Sequence, residues 1–139
     1  MSDMPDDGAE IMRQFVPNSP FASHCGLRIE ELEPDRAVLR LPYAPQLATM
    51  GETVHGGALA TALDTAAMAA SWSGVTPPPS LRGSTIALSI SYLAPASGVD
   101  LLVEARVTRR GRSVCHVDCV ARDPDGAPVA QALAAYRLG

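Results

Sequence analysis

Hydrophobic and polar positions change rhythm several times along the 139-residue chain, and each rhythm predicts a different element. "GAEIMRQF" (8 to 15) places Ile11, Met12 and Phe15 on one side of a short amphipathic helix, which "PNSPF" interrupts. "LRIEELEPDRAVLRLPY" reads as a hairpin, two strands around the turn residues Pro34 and Asp35. Its second strand alternates strictly, with Ala37, Leu39 and Leu41 on one face and Arg36, Val38 and Arg40 on the other. From roughly 55 to 72 the alternation gives way to small apolar residues: Ala58, Leu59, Ala62, Leu63, Ala66, Ala67, Ala69 and Ala70. They occupy several faces of a helix, not one stripe, so this helix is expected to be covered nearly all round. Gly74 and the prolines at 77 to 79 stop it.

Everything downstream is strand-like. "STIALSISYLAP" sets Ile86, Leu88, Ile90 and Tyr92 on one face and Ala87, Ser89 and Ser91 on the other. "DLLVEARVTRR" and "SVCHVDCVARD" follow around a short turn at Gly111, and after the turn signal "DPDG" the segment "APVAQALAAYRL" closes the chain. The order is helix, two strands, long helix, four strands, with no repeat and no linker. An antiparallel sheet curled around the single long helix is the economical arrangement, an α+β class. The length is that of one domain, a lead-in at 1–26 followed by a core at 27–139.

Composition narrows the function more than the fold. A net charge of −4 gives no basic face for nucleic acid. All eleven basic residues are arginines, a side chain suited to phosphate. The acidic start "MSDMPDDGAE" lacks the apolar run of a signal peptide, and no segment reads as a membrane span. Three cysteines without an export signal fit free thiols in the cytoplasm.

One carboxylate stands out. Asp64 is the lone charged residue inside the long helix, three residues after Thr61 and beside Thr65, so the three form a narrow polar strip. The strip either faces water or lines a cleft; capping is excluded, because Asp64 lies about two turns inside the helix. At the helix start, "HGG" puts two glycines where free backbone N–H groups point outward and a ligand can approach closely. Those amides and the positive end of the helix dipole suit a developing negative oxygen, while a carboxylate further along can attack or activate water.

Other candidates are weaker. In "CHVDC", strand alternation sends Cys115, Val117 and Cys119 one way and His116 and Asp118 the other, so the five cannot converge on one metal. His24 and Cys25 are adjacent and suit packing better than a Cys–His pair. Arg106, Arg109, Arg110 and Arg112 crowd one turn, either as a solvated turn or as a phosphate clamp, with Arg82 a further candidate of the same kind. No nucleophile elbow, phosphate loop or dinucleotide fingerprint is present.

"VHGGALATALDTA" closely resembles the signature of the PaaI-type hotdog-fold acyl-CoA thioesterases, and the strands from 84 onward, with Tyr-Leu-x-Pro-Ala at 92 to 96, resemble that family's succession. The resemblance covers about residues 27 to 139. It implies a hotdog fold and hydrolysis of an acyl- or aroyl-CoA thioester, coenzyme A being part of the substrate and no metal or other cofactor being needed. It implies Asp64 as nucleophile or general base, and the N–H of Gly56, with Gly57 as alternative, as oxyanion donor. His55 orients the loop or contacts the substrate, Thr61 lies beside the site, and Thr85, with Ser84 as alternative, helps hold the attacking water. It also implies a homodimer or homotetramer with active sites between subunits, which would place Asp64 in a cleft closed by a partner. The apolar pocket would draw on the 66 to 75 segment, including Met68 and Trp72.

The chain departs from the family pattern in three places. No asparagine precedes the His-Gly-Gly closely, leaving Gln46 or Thr49 as substitutes; an expected Asp is Ala87, and an expected Arg is Ala94. Two other functions remain compatible with the resemblance: a non-catalytic acyl-CoA-binding module, and a hydratase or dehydratase that would use His55 with an acid.

Overall fold

The computed structural model describes residues 7–139, so the acidic stretch at 1 to 6 lies outside the described residues. Helix α1 spans Gly8–Asn18, and Asp7 caps it by accepting the Ala9 N–H at 3.0 Å. Gly8 packs so closely on the main helix that a Cβ there would lie 1.9 Å from the Trp72 carbonyl oxygen. "PNSPF" does break the helix, at Ser19, but only for one residue. Helix α2 (Pro20–Cys25) starts at once, with Pro20 in the first turn where its missing N–H does no harm.

Strands β1 (Arg28–Glu33) and β2 (Arg36–Leu41) form the hairpin, and Ala37, Leu39 and Leu41 are buried as the alternation required. A 3₁₀ turn at Pro45–Leu47 and two short strands, β3 (Ala48–Met50) and β4 (Thr53–Val54), were not foreseen. They anchor the approach to helix α3 (Gly56–Trp72), because His55 N–H donates to the Leu47 carbonyl at 2.7 Å and Val54 N–H to Ala96 at 2.8 Å. Four long strands follow: β5 (Gly83–Tyr92), β6 (Leu101–Arg110), β7 (Val114–Arg122) and β8 (Pro128–Leu138).

The six long strands make one antiparallel sheet in the order β1-β2-β6-β7-β8-β5. Its concave face wraps α3, which packs on β2, β6, β7, β8 and β5, while α1 and α2 cover a further side. Ala62, Leu63, Ala66, Ala67, Ala69 and Ala70 are fully buried. Small side chains let the sheet approach the helix closely, but the helix is not covered all round as expected: the buried positions share one broad side, and Thr61, Asp64, Thr65 and Met68 on the other are only half-buried. The far end of α3 is pinned by the buried bond from Trp72 Nε1–H to Tyr136 Oη on β8, 2.9 Å. This is the hotdog architecture that the resemblance implied.

One face assignment fails. A β-bulge between Thr85 and Ala87 inserts an extra residue into β5. Ile86 therefore turns outward and is 55% exposed, while Thr85 joins the half-buried face of Leu88 and Ile90.

Candidate active site

The site is built on α3. His55 is its N-cap, and the His55 Nδ1 accepts the Gly57 N–H at 2.7 Å. Accepting at Nδ1 leaves Nε2 as the ring nitrogen that carries a hydrogen. The next amides are also taken, since Ala58 and Leu59 donate to the His55 carbonyl. Gly56 N–H has no partner among the described residues, and it is the amide left free at the positive end of the helix.

Asp64 lies two turns further on and is half-buried. Thr85, turned inward by the bulge, donates its hydroxyl to Asp64 Oδ1 at 2.6 Å. No buried side-chain oxygen among the described residues lacks a partner, so the other carboxylate oxygen meets open space. That space is a cavity of about 340 Å³ lined by Thr61, Asp64, Thr65, Thr85 and Met68, with Phe15, Val16, Ser19, Phe21 and Ala22 from the lead-in helices. Thr61 and Thr65 donate back to the Gly57 and Thr61 carbonyls, leaving only acceptor capacity toward the cavity. A polar floor under apolar walls can seat an apolar group with its reactive carbon near the carboxylate.

A second cavity of about 300 Å³ lies over the helix start, lined by Gln46, Leu47, Ala48, His55, Gly57 and Ala58, with Phe21, His24 and Cys25 opposite. Gln46 thus stands beside the His-Gly-Gly, whereas Thr49 is exposed and outside this lining. Phe21 belongs to both cavities. The only two phenylalanines of the chain, Phe15 and Phe21, border the Asp64 cavity and are 48% and 57% exposed. Their scarcity in a chain with 4% aromatics was the available signal for the cavity wall.

Several expected residues lie elsewhere. Ser84 is exposed and makes no side-chain bond to Asp64. Trp72 is core, 3% exposed and bonded to Tyr136, so it lines neither cavity. Arg110 is not a free cation: it donates to Asp35 Oδ1 at 3.0 and 2.7 Å and to the Ser71 carbonyl at 3.0 Å, holding the end of α3. Arg106 pairs with Glu104. The side chains of Arg82, Arg109 and Arg112 are exposed and make no hydrogen bond or ion pair to another described residue. The cysteines are free and buried, with Cys115 and Cys119 facing inward and His116 and Asp118 outward. Burial pushes the Cys119 thiol up to about 12, helped by the charges of Asp118 and Asp64.

Gly56 and Asp64 are eight residues apart on one helix. At 1.5 Å per residue that is about 12 Å, too far for both to reach one carbonyl group. No helix among the described residues is long and apolar enough to cross a membrane.

The family model of the thioesterase superfamily matches residues 51–130, which include the α3 motif and β5 to β7. A Halobacterium salinarum protein that carries the provisional name of an esterase is 37% identical over 112 residues, 78% of this chain and 74% of that protein. The Escherichia coli PaaI protein of the phenylacetic acid degradation operon has the same fold, with a TM-score of 0.81 at 22% identity over 95% of this chain and 94% of that one. So does a hypothetical thioesterase protein from Streptococcus pneumoniae with coenzyme A, with a TM-score of 0.70 at 22% identity over 81% and 85%. With more than half of its length inside the family pattern and a relative at 37% identity, the chain belongs to the thioesterase superfamily.

Proposed function

We propose that the protein hydrolyses an acyl- or aroyl-coenzyme A thioester. The observation that carries this reading is the Asp64 carboxylate, hydrogen-bonded by Thr85 on one oxygen and open on the other to a largely apolar cavity. Asp64 takes the proton of a water that attacks the thioester carbon, or attacks that carbon itself to give an anhydride that water then cleaves. The carbonyl oxygen gains negative charge and is held by the Gly56 N–H. The C–S bond breaks, and the coenzyme A thiol and the carboxylic acid leave. A single oxyanion donor is typically worth about 3 kcal/mol, so losing either part is severe.

The 12 Å between the two groups supports a site shared by two subunits. In a two-fold homodimer with the helices side by side and antiparallel, Gly56 of one chain faces Asp64 of the partner subunit, and symmetry makes two such sites. A homotetramer pairs two of these dimers. Arg82, Arg109 and Arg112 remain cations for the coenzyme A phosphates, and the Streptococcus pneumoniae relative with coenzyme A makes that ligand a fitting one. The chemistry needs no metal or redox cofactor, and coenzyme A enters only with the substrate. His55 fits an orienting role better than that of a hydratase base, because its Nδ1 already accepts from Gly57.

Free-thiol release from a panel of acyl- and aroyl-CoA thioesters, with the wild type and Asp64→Ala in parallel, tests the reading. At least one thioester is expected to turn over, with the variant folded and a hundredfold or more slower, about 2.7 kcal/mol. Equal activity in the variant excludes Asp64 as the reacting group. No turnover across the panel leaves the acyl-CoA-binding module in its place.

A further inference from the structure

The first peptide of α3, between Gly56 and Gly57, is held from both sides. Its N–H, on Gly57, donates to His55 Nδ1 at 2.7 Å. Its carbonyl, on Gly56, accepts the hydroxyl of Tyr92 at 2.9 Å from the far end of β5. The peptide unit is planar, so a bond at each side sets the orientation of the whole plane. The free Gly56 N–H belongs to the preceding peptide, whose carbonyl, on His55, accepts from Ala58 and Leu59. The two planes meet at the Gly56 Cα, where no Cβ limits rotation, so holding the second plane limits the swing of the first. The tyrosine is 54% exposed, yet its hydroxyl is tied to a main-chain oxygen 36 residues away in sequence. Its ring also lies on the helix start: a Cβ on Gly56 would meet Tyr92 Cε1 and Cζ at 3.3 Å and Oη at 3.4 Å.

We propose that Tyr92 is a positioning residue for the Gly56 amide, fixing the first turn of α3 so that the free N–H points where a developing oxyanion forms. This rests on the thioesterase reading for the identity of the oxyanion donor. Donors of this kind act only when held about 2.7–3.1 Å from the oxygen, so a small rotation of the glycine pair weakens the transition state more than the bound substrate. Tyr92 touches the peptide and, through it, the chemistry.

Tyr92→Phe keeps the ring and removes the hydroxyl. The expected result is a fall in kcat of about tenfold, with KM within about twofold of the wild type. The backbone supplies a second readout that needs no activity. In Tyr92→Phe the Gly57 amide should exchange its hydrogen at least about fivefold faster, while amides in β6 and β7 keep their wild-type rates. Unchanged exchange at Gly57 overturns the proposal, whatever happens to kcat. So does faster exchange with an unchanged kcat in an active wild type. Failure of the thioesterase reading looks different, because the wild type itself then releases no thiol. The exchange measurement would still decide whether Tyr92 holds the helix start. Light scattering on both proteins should give one mass, and a changed mass would move the cause to assembly and overturn the assignment.

Discussion

The six-stranded sheet ends on one side in β1 and on the other in β5, and the two edges are made of opposite materials. In β1, Arg28, Glu30, Glu31 and Glu33 make four of six residues charged, and a bulge between Ile29 and Glu31 disturbs its register. Ion pairs fasten this edge to β2, Arg40 to Glu30 and Arg36 to Glu31, and Arg36 reaches on to Glu104 of β6. Charge and a bulge are the usual means of keeping a strand from pairing with another molecule. In β5, ten residues carry no charge at all, and Ile86 stands 55% exposed on it. The same strand holds Asp64 through Thr85 near one end and Gly56 through Tyr92 at the other. The guarded edge makes neither of these bonds, and the unguarded edge touches both groups of the proposed site. On the proposed reading, in which a second copy completes the site, β5 is the edge left open for it.

The strongest way to break this contrast is to guard β5. Ile86→Lys should turn the proposed dimer into a monomer in light scattering and lower thioester turnover by about a hundredfold, although Asp64 and Gly56 are intact. Glu33→Lys, a charge change of the other kind on β1, should alter neither mass nor turnover. If Ile86→Lys remains a dimer with full activity, β5 is not the pairing edge.

Thr85→Val sharpens the contrast within β5. It removes the hydroxyl bond to Asp64 and keeps the branched shape that the strand prefers, so kcat should fall about tenfold with little change in melting temperature. A wild-type kcat would mean that Asp64 is oriented without it.

The smallest effect belongs to the charged side. Burial alone would raise the Glu104 carboxyl, but hydrogen bonds and charge from Arg36 and Arg106 outweigh it and hold the group below its ordinary value. A carboxylate lowered on folding adds stability that is complete above the ordinary carboxylate range and is lost as the pH falls through the depressed value. Glu104→Gln should therefore flatten the acid side of the melting-temperature profile, by no more than about 1 kcal/mol, and leave turnover at neutral pH unchanged. A profile identical to the wild type would assign the acid sensitivity to other carboxylates.

What the sequence revealed and what it hid divide along a physical line. α3 was legible because Ala62, Leu63, Ala66 and Ala67 obey a helical period; the several faces read from the sequence are one broad buried side, opposite the half-buried strip of Thr61, Asp64, Thr65 and Met68. β2 was legible because one face is buried, so its alternation is strict. β5 misled for a local reason. A bulge adds one residue, a period-two reading cannot see it, and the faces of Thr85 and Ile86 come out exchanged. α2 was hidden because Pro20 reads as a break when it is also a permitted first-turn residue. The polar strip at Asp64 was visible on a helical wheel, but the cavity it faces is closed by Phe15 and Phe21, whose distance in sequence leaves no periodic trace. Arg110 looked like its neighbours, and only the fold brings Asp35 to it.

The three cysteines have a practical consequence for watching this protein work. Cys25, Cys115 and Cys119 are unpaired and buried, and each thiol is raised by burial, Cys119 to about 12. Thiol-reactive dyes attack the thiolate, so the folded chain should be silent toward them at neutral pH. A dye that reports released coenzyme A would then carry no background from the protein itself. The same dye, with substrate left out, becomes a clock for unfolding, since each chain that opens exposes three thiols at once.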